Sequence, residues 1–298
     1  MFICHPTTLM NPELLQKIKS PSSSWMPGPR TLLRLTGADR LRFLNGQVTQ
    51  DVKKLPPGHA VRSAITSSKG RLEADLYIAA TPDSLLIETD FSLRESIRSR
   101  IEKFIVADDV TLEDISPSYT LAHFPALSSP PSDTPKDTLF FLCSRFREPG
   151  LDIWIPTTST WRPNSSPISD WEPLRISRGL PLWGVDVGPD TLPPEVGFES
   201  DAISSTKGCY IGQEVMSRLR SVGHVNRHLC VLGTSDTAPK QLGECTTSDG
   251  IVLGKMSSLA LDVNLPGSVA LAMIKRDYAI VGNSVLAEGA SWTILRHA

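Results

Sequence analysis

The feature that most constrains this chain is its C-terminal quarter, where short β-type runs at residues 229–233, 251–256, 268–274, 278–281 and 292–295 follow one another without a helical segment. Runs spaced this way, with Gly and Pro turns between them, predict a small β-barrel or sandwich over residues 222–298. Upstream the texture is mixed. Residues 31–35 read as a strand, and Leu41, Leu44 and Val48 recur at helical spacing behind Gly37. Over 59–89, Val/Ile/Leu/Tyr runs are broken at 67–70 and 81–84, which predicts antiparallel strands. Ser92 and Glu95 form a capping box ahead of Leu93, Ile97, Ile101 and Ile105, predicting a helix over 92–105. Asn11 before Pro12 predicts an earlier helix, and 139–143 and 152–155 read as strands bracketed by Ser/Thr/Pro-rich surface loops at 125–137 and 156–170. The expected organisation is an α+β region over 1–221 and an all-β domain over 222–298.

Charge and cysteine usage narrow the function classes. Lys+Arg 30 against Asp+Glu 32 leaves a formal charge of -2, so there is no overall basic field to grip a phosphate backbone, and no direct nucleic-acid partner is expected. No run approaches the roughly 18 apolar residues of a membrane helix, and residues 1–15 lack the positive segment and apolar core of a secretion signal. A cytoplasmic, monomeric globular protein is the expectation, with the mitochondrial matrix as the alternative if a transit peptide has been trimmed. The five cysteines are odd in number, widely spaced and without a CxxC pair, so neither a disulfide framework nor an intrinsic metal site is expected.

Four segments can carry chemistry. In Lys207-Gly208-Cys209-Tyr210-Ile211-Gly212-Gln213-Glu214, glycines flank a cysteine near a lysine where a helix can begin. A helix N-terminus and a nearby cation both favour thiolate, so Cys209 reads either as an accessible low-pKa thiol or as a small apolar filler in a tight turn. After the Lys69-Gly70-Arg71 turn, strand alternation puts Glu73 and Asp75 on one face and Leu72, Ala74 and Leu76 on the other. That carboxylate pair suits acid/base work or an amine-rich heterocycle, or is a solvated strand face. Asn45 to Asp51 is a polar stretch that can line a site or simply end the preceding helix, and the Gly/Pro-rich loop 179–199 is of a kind that often lines one. No phosphate-cradling glycine motif occurs.

Taken together, these segments resemble the YgfZ-type folate-binding proteins, relatives of the aminomethyltransferase T-protein of glycine cleavage. The resemblance rests on residues 35–39 and 43–51, on Lys69-Gly70-Arg71 with Asp75, on residues 192–197, and above all on the octapeptide 207–214. It extends over roughly 30–276, with Gly223, Arg227, Gly254, Ser257, Gly267 and Lys275 as supporting matches. It implies a three-lobed α+β fold around a central folate cavity, with a C-terminal β-barrel. It also implies tetrahydrofolate or a derivative as cofactor, with Asp75 facing the reactive nitrogens and Asn45, Lys69, Ser177, Glu195, Tyr210 and Arg218 as further contacts. Ser177 stands where the T-protein carries a folate-gripping glutamate, and a hydroxyl cannot make that charged two-point contact.

The function implied is a folate-dependent factor for assembling or maintaining iron–sulfur clusters in client or carrier proteins, supporting tRNA modification indirectly. Cys209 is then the key thiol, held by Lys207 and the helix N-terminus, and Cys209 and Asp75 are the catalytic candidates. The alternatives are a tetrahydrofolate-dependent aminomethyltransferase or demethylase, and a folate-sensing module without catalysis.

Overall fold

The computed structural model describes Gln16, Ser20 and residues 23–165, 168–235, 241–261 and 267–298. Apart from Gln16, which is helical, the helix expected after Asn11 lies outside the described residues. The chain groups into two compact units, one holding residues 19–166 and 198–218, the other 167–197 and 219–298.

In the first unit, β1 (Arg30–Thr36), β2 (Ala60–Thr66), β3 (Leu72–Ala80), β4 (Leu85–Asp90) and β5 (Thr111–Asp114) form an antiparallel sheet in the order β2-β3-β4-β1-β5. β6 (Tyr119–Phe124), β7 (Leu139–Cys143) and β8 (Gly150–Pro156) make a second sheet, β6-β8-β7. Leu32 and Leu86 from the larger sheet pack with Leu121, Phe141 and Trp154 from the smaller. Each is at most 3% exposed, so each contributes about 1.5–3 kcal/mol by leaving water. β3 alternates as the sequence predicts, burying Leu72, Ala74 and Leu76 completely while Glu73 and Asp75 stay on the half-buried face.

The helix expected over 92–105 forms at Arg94–Glu102, preceded by a 3₁₀ turn at Phe91–Leu93. Its apolar stripe is as predicted, with Ile97 and Ile101 buried. The cap differs: Asp90 Oδ1 accepts from the Ser92 amide at 2.9 Å and its hydroxyl at 2.7 Å. A carboxylate two residues earlier outcompetes the serine as acceptor, so Ser92 becomes the donor.

The second unit is built on a closed six-stranded barrel. β9 (Arg227–Thr234), β10 (Glu244–Thr246), β11 (Val252–Leu261), β12 (Ser268–Lys275), β13 (Ser284–Ala287) and β14 (Ala290–His297) close in the order β10-β11-β12-β9-β14-β13. Inward alternation fills the interior with Cys230, Leu232, Met256, Ala272, Trp292 and Ile294. The strand expected at 278–281 is not one. Arg276–Tyr278 is a 3₁₀ turn, Ile280 and Val281 are exposed, and the strand comes at Ser284–Ala287. Helix Ile168–Ser177, which begins inside what reads as a loop, packs on β11 and β12.

Candidate functional site

Residues 198–218 return to the first unit, so the octapeptide and Asp75 belong to the same compact body. The helix Arg40–Gln47 ends at Val48 and leaves carbonyls without intrahelical partners. Lys207 fills that need: its ammonium donates to the carbonyls of Asn45 at 2.7 Å, Val48 at 2.5 Å and Gln50 at 2.9 Å. A cation at a helix C-terminus is also favoured by the helix dipole. Burial pulls the Lys207 ammonium down to about 8, and its Nζ lies 5.1 Å from the centre of the Tyr210 ring. The lysine expected to serve the Cys209 sulfur is thus engaged in tying the octapeptide to residues 45–50.

Further ties run alongside. Thr49 Oγ1 donates to the Ala202 carbonyl at 2.7 Å, the Ser204 amide to the Thr49 carbonyl at 3.0 Å, and Gln50 Nε2 to the Asp201 carbonyl at 3.2 Å. On the other side Thr66 Oγ1 donates to the Ile211 carbonyl at 2.6 Å. Gly212, at φ +88°, comes so close to β2 that a Cβ would lie 2.6 Å from the Ser67 carbonyl oxygen. Gly70, at φ +73°, lies under Val215 in the same way. Between these anchors Lys207 and Tyr210 are buried and Cys209 is exposed, four residues before helix Gln213–Ser221.

Among the described residues the other cysteines are buried. Burial pushes the Cys230 and Cys245 thiols up to about 12 and raises that of Cys143 well above the ordinary range. A thiol so raised and enclosed is a poor nucleophile, leaving Cys209 as the accessible one among the described residues. Among the described residues no group of three or more His, Cys, Asp or Glu side chains is arranged to hold a metal ion.

Asp75 is gripped from both oxygens by Arg62, Nε to Oδ1 at 3.1 Å and Nη2 to Oδ2 at 2.8 Å. Arg62 is almost fully buried, lies 4.1 Å over the Phe198 ring, and reaches both oxygens of Asp201 at 3.5 Å. Burial alone would lower the Arg62 pKa, but the Asp75 charge and hydrogen bonds more than offset it and raise it. Glu73, the other carboxylate of that strand face, pairs with Arg100 at 2.9 Å. The two carboxylates are therefore held apart by separate arginines rather than acting as a pair.

Arg62, Asp201 and Arg147 complete this cluster, and none stands out in the sequence. An arginine inside the otherwise small and apolar run of β2 was the available signal for Arg62, which is in register with Tyr77. Asn45 uses its side-chain oxygen to accept the Val52 amide at 3.1 Å, Lys69 is exposed in the 67–70 turn, and Arg218 lies exposed on helix Gln213–Ser221. Gln213 is partly buried, and Glu214 is exposed in the first turn of that helix.

Ser177 and Glu195 belong to the second unit. Ser177 Oγ donates to the Leu174 carbonyl at 3.0 Å, and Glu195 accepts the Leu192 amide at 2.9 Å and pairs with Arg227 at 2.9 Å. In that unit, residues 185–191 of the Gly/Pro-rich loop line an open cleft of about 500 Å³ together with Lys255, Ser257 and Met273. Asp186 at its wall is buried and fully used, accepting from Arg175, the Leu182 amide, Ser257 and Ser258.

No protein-family model matches the chain. A chloroplastic protein of Arabidopsis thaliana named as a transferase is 26% identical over 287 residues, 85% of this chain, which spans 65% of that relative's length. Proteins named tRNA-modifying protein YgfZ are 26% identical in Yersinia enterocolitica, over 76% of this chain and 78% of the relative, and 26% identical in Yersinia pestis, over 74% and 76%. The glycine cleavage system aminomethyltransferase T of Bartonella henselae superposes with a TM-score of 0.79 at 15% identity, over 95% of this chain and 88% of that one. The chain therefore has the aminomethyltransferase T fold.

Proposed function

We propose that this chain, a YgfZ-type protein related to the aminomethyltransferases, binds a reduced folate and serves the assembly or maintenance of iron–sulfur clusters on client proteins. Support for tRNA modification follows indirectly from that role, and the site of action is cytoplasmic. The observation that carries the reading is the exposed Cys209 in a segment whose neighbours are pinned by Lys207, Thr66 and Gly212. A rigid mount with one accessible sulfur suits brief contact with a cluster or a client, whereas a thiol serving only as packing would be buried.

For folate, the first unit offers the Asp75 carboxylate on a half-buried strand face. Arg62 fixes its orientation, and each oxygen keeps acceptor capacity beyond the single hydrogen bond it takes from Arg62. When bound, a reduced folate supplies the nitrogens that carry a one-carbon unit. Asp75 would accept from N–H groups of the ligand, and the two hydrogen bonds from Arg62 hold that carboxylate in place. Ser177 and Glu195, whose side chains are engaged within the second unit, carry less of this proposal than Asp75 does.

A tetrahydrofolate-dependent aminomethyltransferase or demethylase is the second reading. The fold it shares with an aminomethyltransferase favours it, and it requires turnover of a reduced folate with an aminomethyl or methyl donor. The test of the first reading is restoration of a cluster-dependent enzyme in cells lacking the native factor. The wild-type chain restores activity and Cys209→Ser does not; full restoration by Cys209→Ser would remove the thiol from the account.

A further inference from the structure

Arg147 belongs to the Arg62 and Asp201 cluster, and the folate reading gives it no part. It lies between β7 and β8 at φ +57°, a left-handed conformation that is unfavourable for a residue with a Cβ and persists where the surroundings impose it. Its Nε is 3.5 Å from Asp201 Oδ2, the distance of a loose ion pair rather than of a closed hydrogen bond, and both Nε and Nη2 are buried without a hydrogen-bond acceptor. Burial lowers the Arg147 pKa, as expected of a cation whose charge is incompletely met. Nε–H and Nη2–H point the same way from a planar guanidinium, so the orphaned donors are a fork aimed at one place.

Asp201 has the complementary deficit. Its contacts to Arg62 and to Arg147 are all at 3.5 Å, none at the 2.7–2.9 Å of a closed charge-assisted pair. The four side chains Arg62, Asp75, Asp201 and Arg147 balance in charge, so an anion entering here would meet two carboxylates as well as two cations. What fits is a neutral edge that presents an oxygen acceptor next to N–H donors. Buried donors left unpaired are unfavourable, and such an edge satisfies them.

We propose that Arg147 and Asp201 form a recognition pair for an amino-oxo-pyrimidine edge, Arg147 donating to the ring oxygen and Asp201 accepting from the adjacent ring and amino N–H groups. This deepens the folate reading and rests on it: the pair supplies a charged contact to the pyrimidine edge within the first unit. The buried aromatic ring of Phe198, over which Arg62 lies, and the half-buried ring of Tyr77, in register with Arg62, give the same corner an apolar lining.

The test is a matched pair of probes, tetrahydrofolate and its 4-amino-4-deoxy counterpart, titrated calorimetrically under anaerobic conditions into wild type, Arg147→Met, Arg147→Lys and Asp201→Asn. The 4-amino compound offers a donor where the oxygen was, so wild type binds it at least tenfold more weakly. Arg147→Met weakens tetrahydrofolate at least tenfold and abolishes the preference between the two probes; Arg147→Lys retains part of it. Asp201→Asn weakens both probes while the fold, read by thermal melting, stays intact. If wild type binds tetrahydrofolate and Arg147→Met binds both probes as wild type does, the recognition pair is overturned and the folate reading stands. If wild type binds neither probe, the folate reading fails and the pair loses its occupant.

Discussion

The Lys207 ammonium donates at 2.7 Å to the carbonyl of Asn45, 162 positions earlier in the chain. Two segments that read separately as a thiol motif and a helix end are thereby one structural element, and the lysine is its bolt. Replacing Lys207 by Met leaves three carbonyls, two of them in buried contacts, without that donor, at about 1–3 kcal/mol for each one that water cannot reach. The expected result is a loss of about 3 kcal/mol in urea unfolding and faster amide exchange across 204–212. Unchanged exchange there would show that Lys207 does not hold the segment.

Gly212 tests the same mount from the other side. At φ +88° with a Cβ position 2.6 Å from the Ser67 oxygen, alanine must shift backbone rather than a flexible side chain. Gly212→Ala is expected to cost about 2–4 kcal/mol, whereas Gly208→Ala, with no atom within 4 Å of its Cβ position, is expected to cost far less. Thermal melts of the two variants check the contrast.

The Arg62 and Asp75 pair predicts an asymmetry. Arg62→Met strands Asp75, whose side chain is only 16% exposed, and is expected to cost about 3–5 kcal/mol. Asp75→Asn keeps an oxygen for Arg62, which retains Asp201, and is expected to cost about 1 kcal/mol. Equal losses by chemical denaturation would show that the pair is not the anchor of this face.

Acid sensitivity follows from a buried network in the same unit. His123 Nδ1 lies 2.7 Å from Asp152, which also takes Arg145. Burial pushes His123 below its ordinary 6.5, so its contribution is present above that pH and is lost as pH falls through it. Burial alone would raise Asp152, but the Arg145 charge and the His123 hydrogen bond bring it down to about 2, so its share is present above about 4 and is lost toward 2. That second share is about 2 kcal/mol. Wild type is expected to lose thermal stability between pH 7 and 5, and His123→Gln to lose less over that interval.

What could be read from sequence was what is local or motif-borne. The barrel followed from runs at 229–233, 251–256, 268–274 and 292–295, each of which lies in or overlaps an observed strand. β13 was missed because four residues alternating exposed and buried carry little signal, while the apolar run at 278–281 invited a strand where the chain makes an exposed turn. Asp75 and the octapeptide could be found by motif. Arg62, Arg147 and Asp201 could not, since Arg62 meets Asp201 across 139 positions and only the fold brings them together. For the same reason sequence pairs Lys207 with Cys209, two residues away, and the structure pairs it with Asn45.

The most direct measurement is an anaerobic calorimetric titration of tetrahydrofolate into the reduced protein, with Asp75→Asn alongside. The account predicts saturable binding that Asp75→Asn weakens by about tenfold, the loss of one charge-assisted contact of about 1.4 kcal/mol. Absence of saturable binding by the wild-type protein, or affinity untouched by Asp75→Asn, would contradict it.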